Sequence, residues 1–310
     1  MDNDLQQYAR QYMDRQNNRP IPEFEGYSPN EMQYLLHDPF GPDSPLKLNV
    51  LDEADYRLIP MLNMIRYLGG HLKKTGEMKL TAKGFLPVKI VADLYEQGFY
   101  KEEMIESGIV KLYKQTDSHS IDLAGKLSDI AGLTKKRNNK LSLTKSGEKL
   151  LGNNAELLRQ LLLTFGYKFN WAYYDRYESG RIGQIGFAFS LVLLKRYGNK
   201  MRRDTFYAQK YFRAFPDLYE GGDAQTEIEE NPWNPASNCY FIRTFERFLH
   251  LFGLVEIEKE KVSMKEQWSP EKHNIRRTAL FHRLISCAPH RKFPPGHVPP
   301  GVPKSIGIPL

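Results

Sequence analysis

Cysteine is scarce. The 310 residues hold only Cys239 and Cys287, too few for a disulfide framework and without a Cys-x-x-Cys pair for zinc. No run approaches the ~20 apolar residues of a membrane span. The opening MDNDLQQYAR is acidic and polar, unlike a signal peptide. A reducing cytoplasm and no membrane partner are therefore expected. Catalytic motifs are also missing. There is no Gly-x-Ser-x-Gly elbow, and Gly180, Gly183 and Gly186 are not followed by the Gly-Lys-Ser/Thr of a phosphate loop. Close helix packing accounts better for those glycines. Glu256 and Glu258 alternate on one strand without an upstream Asp to complete a nuclease site. His282, Cys287, His290 and His297 lie in a Pro-rich tail at spacings that do not suit zinc. No metal and no cofactor is expected, and a non-enzymatic role is preferred to a hydrolase or nuclease.

What the chain does have is positive charge, unevenly placed. The net charge is +7, yet residues 1–60 carry −6, residues 61–150 carry +6 and the remainder carries +7. An acidic arm precedes a basic body. That asymmetry suits a polyanion partner, an arm packed on the body's own basic surface, or simply solvated charge.

The stretch Ile130–Leu151, IAGLTKKRNNKLSLTKSGEKLL, is the most informative. Gly132 closes a helix, Leu133-Thr134 starts a strand, Arg137-Asn138-Asn139 turns, and Leu141–Thr144 runs back with alternating polarity. Thr144-Lys-Ser-Gly147 then leads into another helix. Helix, hairpin and helix in that order form the end of a winged helix. Residues 69–86 repeat the phrase, with Gly, a basic turn and Leu-Thr-x-x-Gly. A looser copy starts at Phe252 and returns at Asn274–Thr278, its turn swollen to Glu258–His273.

The fold is therefore expected to be mainly α with small β-hairpins, in tandem winged-helix-like units. The expected divisions are an acidic arm at 1–50 and a helical unit with two hairpins at 51–165. A second winged-helix-like unit with an aromatic entry follows at 166–285, then an extended tail at 286–310. In the arm, Ser28-Pro29-Asn30-Glu31 starts a short helix whose Met32, Leu35 and Leu36 must dock, with Phe40, because so short a helix is unstable alone. Helices are read at 5–16, 53–75 (ending at Gly69-Gly70), 87–97, 120–131, 155–165, 184–197, 205–215 (capped by Asp204) and 238–252. The acidic stretch Glu220–Pro235 reads as a loop. The aromatic run Tyr167–Tyr177 reads as core between domains, or as the lining of a pocket with Asp175 and Glu178.

The phrase Gly26–Phe40, GYSPNEMQYLLHDPF, resembles the opening of uncharacterised bacterial helical proteins of the plasmid ORF-3-type and SEC-C-associated kind. Leu80–Lys89 (LTAKGFLPVK) and Phe169–Trp171 (FNW) look like later landmarks of that group. The ORF-3 β-rich domain and the SEC-C tail are not present. The resemblance implies a bacterial origin and a helical body, and no activity.

Nucleic-acid contact is the leading expectation, with DNA or RNA as partner. Lys135, Lys136, Arg137 and Lys140 crown the second hairpin; Lys73, Lys74 and Lys79 surround the first. Long cations on protruding hairpins suit phosphates and supply affinity without sequence choice. A charged, solubilising turn explains them equally simply. Lys195, Arg196, Lys200, Arg202 and Arg203 form the densest cluster, at a helix end where cations also steady the dipole. Helix 238–252 occupies a recognition-helix position. Phe241, Phe245, Phe248 and Phe252 would point inward, leaving Arg243 and Arg247 nearer solvent to reach bases. Its aromatic character equally suits a buried helix or a surface for another protein, which makes a protein-interaction scaffold the main alternative.

Overall fold

The computed structural model describes residues 2–231, 233–260, 272–294 and 297, with side chains from residue 5 onward. It is mainly helical, with small antiparallel sheets. The chain gathers into two compact units. The first comprises residues 1–49, 174–245 and 255 onward; the second comprises 50–173 and 246–254.

The first unit begins with α1 (Asp2–Asn17), α2 (Pro29–His37) and β1 (Leu46–Leu48). α2 starts with a reciprocal capping box. The Ser28 hydroxyl accepts from the Glu31 N–H, and the Glu31 carboxylate accepts from the Ser28 N–H at 2.8 Å. Met32, Leu35 and Phe40 are buried, and α2 packs on helix Phe187–Tyr197 of the same unit.

The second unit holds α3 (Glu53–Tyr56), α4 (Pro60–Thr75), β2 (Glu77–Lys79), α5 (Val88–Glu96) and α6 (Glu103–Glu106). α7 (His119–Ile130), β3 (Thr134–Arg137), β4 (Lys140–Leu143), α8 (Lys145–Leu150) and α9 (Asn154–Tyr167) follow. α4 does not stop at Gly69-Gly70. A Cβ on Gly69 would lie 2.5 Å from the Leu151 side chain, so the glycine admits a close neighbour mid-helix. Nor do residues 69–86 make a hairpin of their own: β2 pairs with β4, giving the sheet order β2–β4–β3. The two Leu-Thr-x-x-Gly phrases serve different ends. Gly84 supplies a φ of +77°, whereas a Cβ at Gly147 would strike the Leu133 carbonyl oxygen at 2.1 Å. In the core, the Phe165 ring stacks on Phe169 at 5.4 Å and on Phe248 at 4.9 Å, and the Trp171 indole N–H donates to the Phe165 carbonyl at 2.7 Å. The start of the aromatic run thus belongs to one unit's own core.

The chain re-enters the first unit with α10 (Phe187–Tyr197), β5 (Arg202–Arg203), α11 (Asp204–Ala214), α12 (Ala224–Glu230) and α13 (Pro235–Phe241). α12 occupies the stretch read as an acidic loop. Asp204 lies inside the first turn of α11 rather than at its cap, accepting from the Thr205 N–H at 2.8 Å. α13 continues as a π-helical segment, Ile242–Leu249. β6 (Val255–Lys259), β7 (His273–Arg277), α14 (Ala279–Leu284) and β8 (Ile285–Cys287) close the described chain. The sheet order is β5–β7–β6, and β8 pairs with β1. Leaving aside α6 and α12, the run from α4 to β4 in the second unit and the run from α10 to β7 in the first both read helix, strand, helix, helix, strand, strand, and in each run the first strand pairs with the last.

The start of the tail is extended but seated on the arm. Ala288 O accepts from the Tyr27 hydroxyl at 2.6 Å, and the buried Glu31 carboxylate accepts from the Arg291 N–H at 2.8 Å and meets His290 Nδ1 at 2.6 Å. Residues 261–271, expected as part of a swollen turn, and residues 295–296 and 298–310 of the expected tail lie outside the described residues.

Candidate nucleic-acid interface

The basic hairpin is built from local chemistry. Asn138 and Asn139 take φ of 48° and 56°, the left-handed pair that a two-residue type I′ turn needs. The tip is tied down as well. The Leu80 N–H donates to Asn139 O at 2.9 Å, and the Asn139 side-chain amide donates to Leu80 O at 3.1 Å.

Strand register then aligns charge. Arg137 stands opposite Lys140, and Lys140 opposite Lys79. Because alternate residues share a face, Lys135 joins this outer face, with Glu77 its sole acid. Met78, Leu141 and Leu143 point to the core and are buried. Three cations in one row across three strands cover a strip about 10 Å wide. Like charges directly opposite destabilise a sheet by up to about 1 kcal/mol per pair. An ion pair of Lys140 with Glu77 relieves part of this, but both groups are about half exposed and such pairs are weak.

Not every expected cation joins the row. Lys136 lies on the opposite face, 3.9 Å from Asp129. Lys73 and Lys74 are exposed in the last turn of α4, where they complement the helix dipole. Lys79 was read as part of a separate wing. The alternation of Glu77-Met78-Lys79-Leu80 just after Gly76 is the signal that marks it as a sheet strand.

The helix before each hairpin, of which only 238–252 was expected to read bases, is closed off. α7 buries Ser120, Ile121, Leu123, Ala124 and Leu127. Its N-terminus is occupied by Glu102, which accepts from the His119 and Ser120 N–H groups, both at 3.0 Å. Burial, and then the Arg247 charge, push the His119 ring down to about 4. Arg247 itself is half-buried.

Arg243 corrects the sequence reading outright. Expected near solvent, it is 1% exposed. Its guanidinium makes two 2.8 Å bonds to the Asp175 carboxylate and donates to the carbonyls of Ser179 (2.7 Å) and Ile182 (3.1 Å). It cannot reach a base. Tyr240, Phe241, Phe245, Phe248 and Phe252 are buried too, so they offer no surface to another protein.

The 195–203 cluster is spent largely inside the first unit. Lys195 donates to Ile285 O at 2.5 Å, Arg196 pairs with Glu25 at 2.8 Å, and Arg203 pairs with Glu260 at 3.0 Å. Arg202 lies over the Phe206 ring at 4.6 Å. These cations fasten the arm and the strand ends.

Among the described residues, no helix is long and apolar enough to cross a membrane, and no three His, Cys, Asp or Glu side chains are grouped to hold a metal. Comparison of the chain with protein-family models, curated proteins and solved structures finds no match.

Proposed function

We propose that the chain is a non-enzymatic nucleic-acid-binding protein of two winged-helix units. It grips the phosphate backbone through the outer sheet face of the second unit and does not read base sequence. The observation that carries this is the row of Lys79, Lys140 and Arg137 in register. Facing like charges cost stability in the free protein, and phosphates relieve that cost. The winged-helix reading is supported by the connectivity shared by the runs α4–β4 and α10–β7, in each of which the first strand pairs with the last. The burial of α7 and of Arg243 argues against base contacts.

Labelled duplexes of equal length and unrelated sequence test it by fluorescence anisotropy. At one salt concentration their affinities should agree. One correct base pair typically contributes about tenfold, so a preference larger than that would show base reading and contradict the proposal. An interaction scaffold keeps one favourable observation, the exposed Met104, Ile109 and Tyr113 in the connection between α5 and α7. That reading gains if no nucleic acid binds.

A further inference from the structure

The acidic stretch between α11 and α13 lies outside the proposed phosphate face, and it borders a cavity of about 560 Å³ in the first unit. Ligand pockets commonly measure about 300–1,000 Å³. The lining is apolar at Ile182, Leu218, Ala236 and Cys239, with Leu218 and Cys239 buried. Tyr177 and Tyr219 contribute rings, and the exposed Glu178 and Glu220 stand at the mouth.

Both walls are held in place. The buried Arg243–Asp175 pair clamps the 175–182 segment through the Ser179 and Ile182 carbonyls, and the Tyr177 N–H donates to Asp175 at 3.2 Å. In the other wall, the Asn234 amide donates to the Tyr219 hydroxyl at 2.7 Å. That hydroxyl donates to Glu227 at 2.8 Å, and Glu227 also accepts from the Gly222 N–H at 2.8 Å. The rings are therefore preorganised, which lowers the entropy lost on binding.

The local field sets the sign of the ligand. Residues 217–230 carry six carboxylates and no Lys or Arg, and the lining sets Glu178, Glu220 and Glu227 against Arg176, a net negative wall in a chain whose net charge is +7. Such a patch concentrates cations, and tyrosine faces attract them further. The geometry points to a binding site for a small organic cation, a primary or quaternary ammonium or a guanidinium on an apolar body. The body rests on Ile182, Leu218 and Cys239, and the charge lies toward Tyr177, Tyr219, Glu178 and Glu220.

Titration calorimetry on the full chain tests this with n-butylammonium, n-butyltrimethylammonium and n-butylguanidinium. n-Butanol and n-butylsulfonate serve as neutral and anionic controls. At least one cation should bind saturably and neither control should. The exposed double substitution Glu178→Gln/Glu220→Gln should weaken that binding about tenfold, and Tyr177→Leu should weaken it similarly. The inference is overturned if no cation binds, if a control binds as tightly, or if the Gln variant binds like the parent. None of these outcomes bears on the sheet face of the second unit.

Discussion

Arg243 and Asp175 form a fork whose side chains are 0% and 4% exposed, and each depends on the other. Truncating Arg243 to Ala leaves the carboxylate buried without a countercharge, which typically costs about 3–5 kcal/mol. Urea unfolding should show that loss, and a change below about 1 kcal/mol would contradict it. Arg243→Lys keeps the charge but loses the two-pronged geometry, so it should fall between the two. His119 makes a different prediction. Burial first, and then Arg247, hold its ring down to about 4, whereas an unfolded histidine titrates near 6.5. Between those values the unfolded chain binds more protons than the native one. The neutral ring's contribution is thus complete above about pH 6.5 and is lost as pH falls toward 4, by about 1.4 kcal/mol per pH unit. His119→Gln should flatten that segment of the stability–pH curve. Curves that stay parallel from pH 7.5 to 4 would rule the shift out.

Among the elements, the β3–β4 hairpin was the most legible, because its instructions are local. Two adjacent asparagines and a strand of alternating polarity suffice to place the turn and both faces. The prediction here follows from φ of 48° at Asn138. Asn138→Val should cost about 1–2 kcal/mol and Asn138→Gly very little, read from thermal melts of the two variants. Equal melts would show that the turn is not type I′. The partner of β2 was not legible. Nothing near Glu77–Lys79 announces pairing with a strand some sixty residues later, so in sequence a repeated phrase looks like a repeated hairpin. Gly69 misled for a similar reason: its small size serves contact with Leu151, not a helix end. Arg243 was placed outside by a 3.6-residue period; Phe241, Phe245, Phe248 and Phe252 are buried as that period requires, but Thr244 and Leu249 are buried too, so the segment is covered on more than one face. The partner of Arg243, Asp175, also lies far away in sequence. The cations of the candidate face were therefore visible from the sequence, while their alignment into one row required the long-range register.

Across the whole molecule, charge is settled largely within each unit. The acidic arm supplies Glu25, where burial opposes ionisation but hydrogen bonds from Lys210, Tyr197 and Arg196 outweigh it and hold the carboxyl below its ordinary value. Deleting residues 1–45 removes that partner and uncovers the face of α10 under α2. The deletion should lower the melting temperature or cause aggregation, and an unchanged melting curve would contradict the docked arm. With Lys195, Arg196, Arg202 and Arg203 so engaged, the outer sheet face of the second unit is the phosphate site we propose. The most direct test is the slope of log affinity against log salt for duplex binding, measured by anisotropy for the parent and for a variant with Lys79, Lys135, Arg137 and Lys140 all replaced by Ser. Each phosphate contact contributes about −0.9 to that slope, so losing two to four contacts should flatten it by roughly two to four units. Stability should hold or rise slightly, since exposed substitutions usually shift it by about half a kcal/mol and this one removes facing like charges. A parent that shows no salt-dependent binding, or a variant with the parent's slope, would contradict the account.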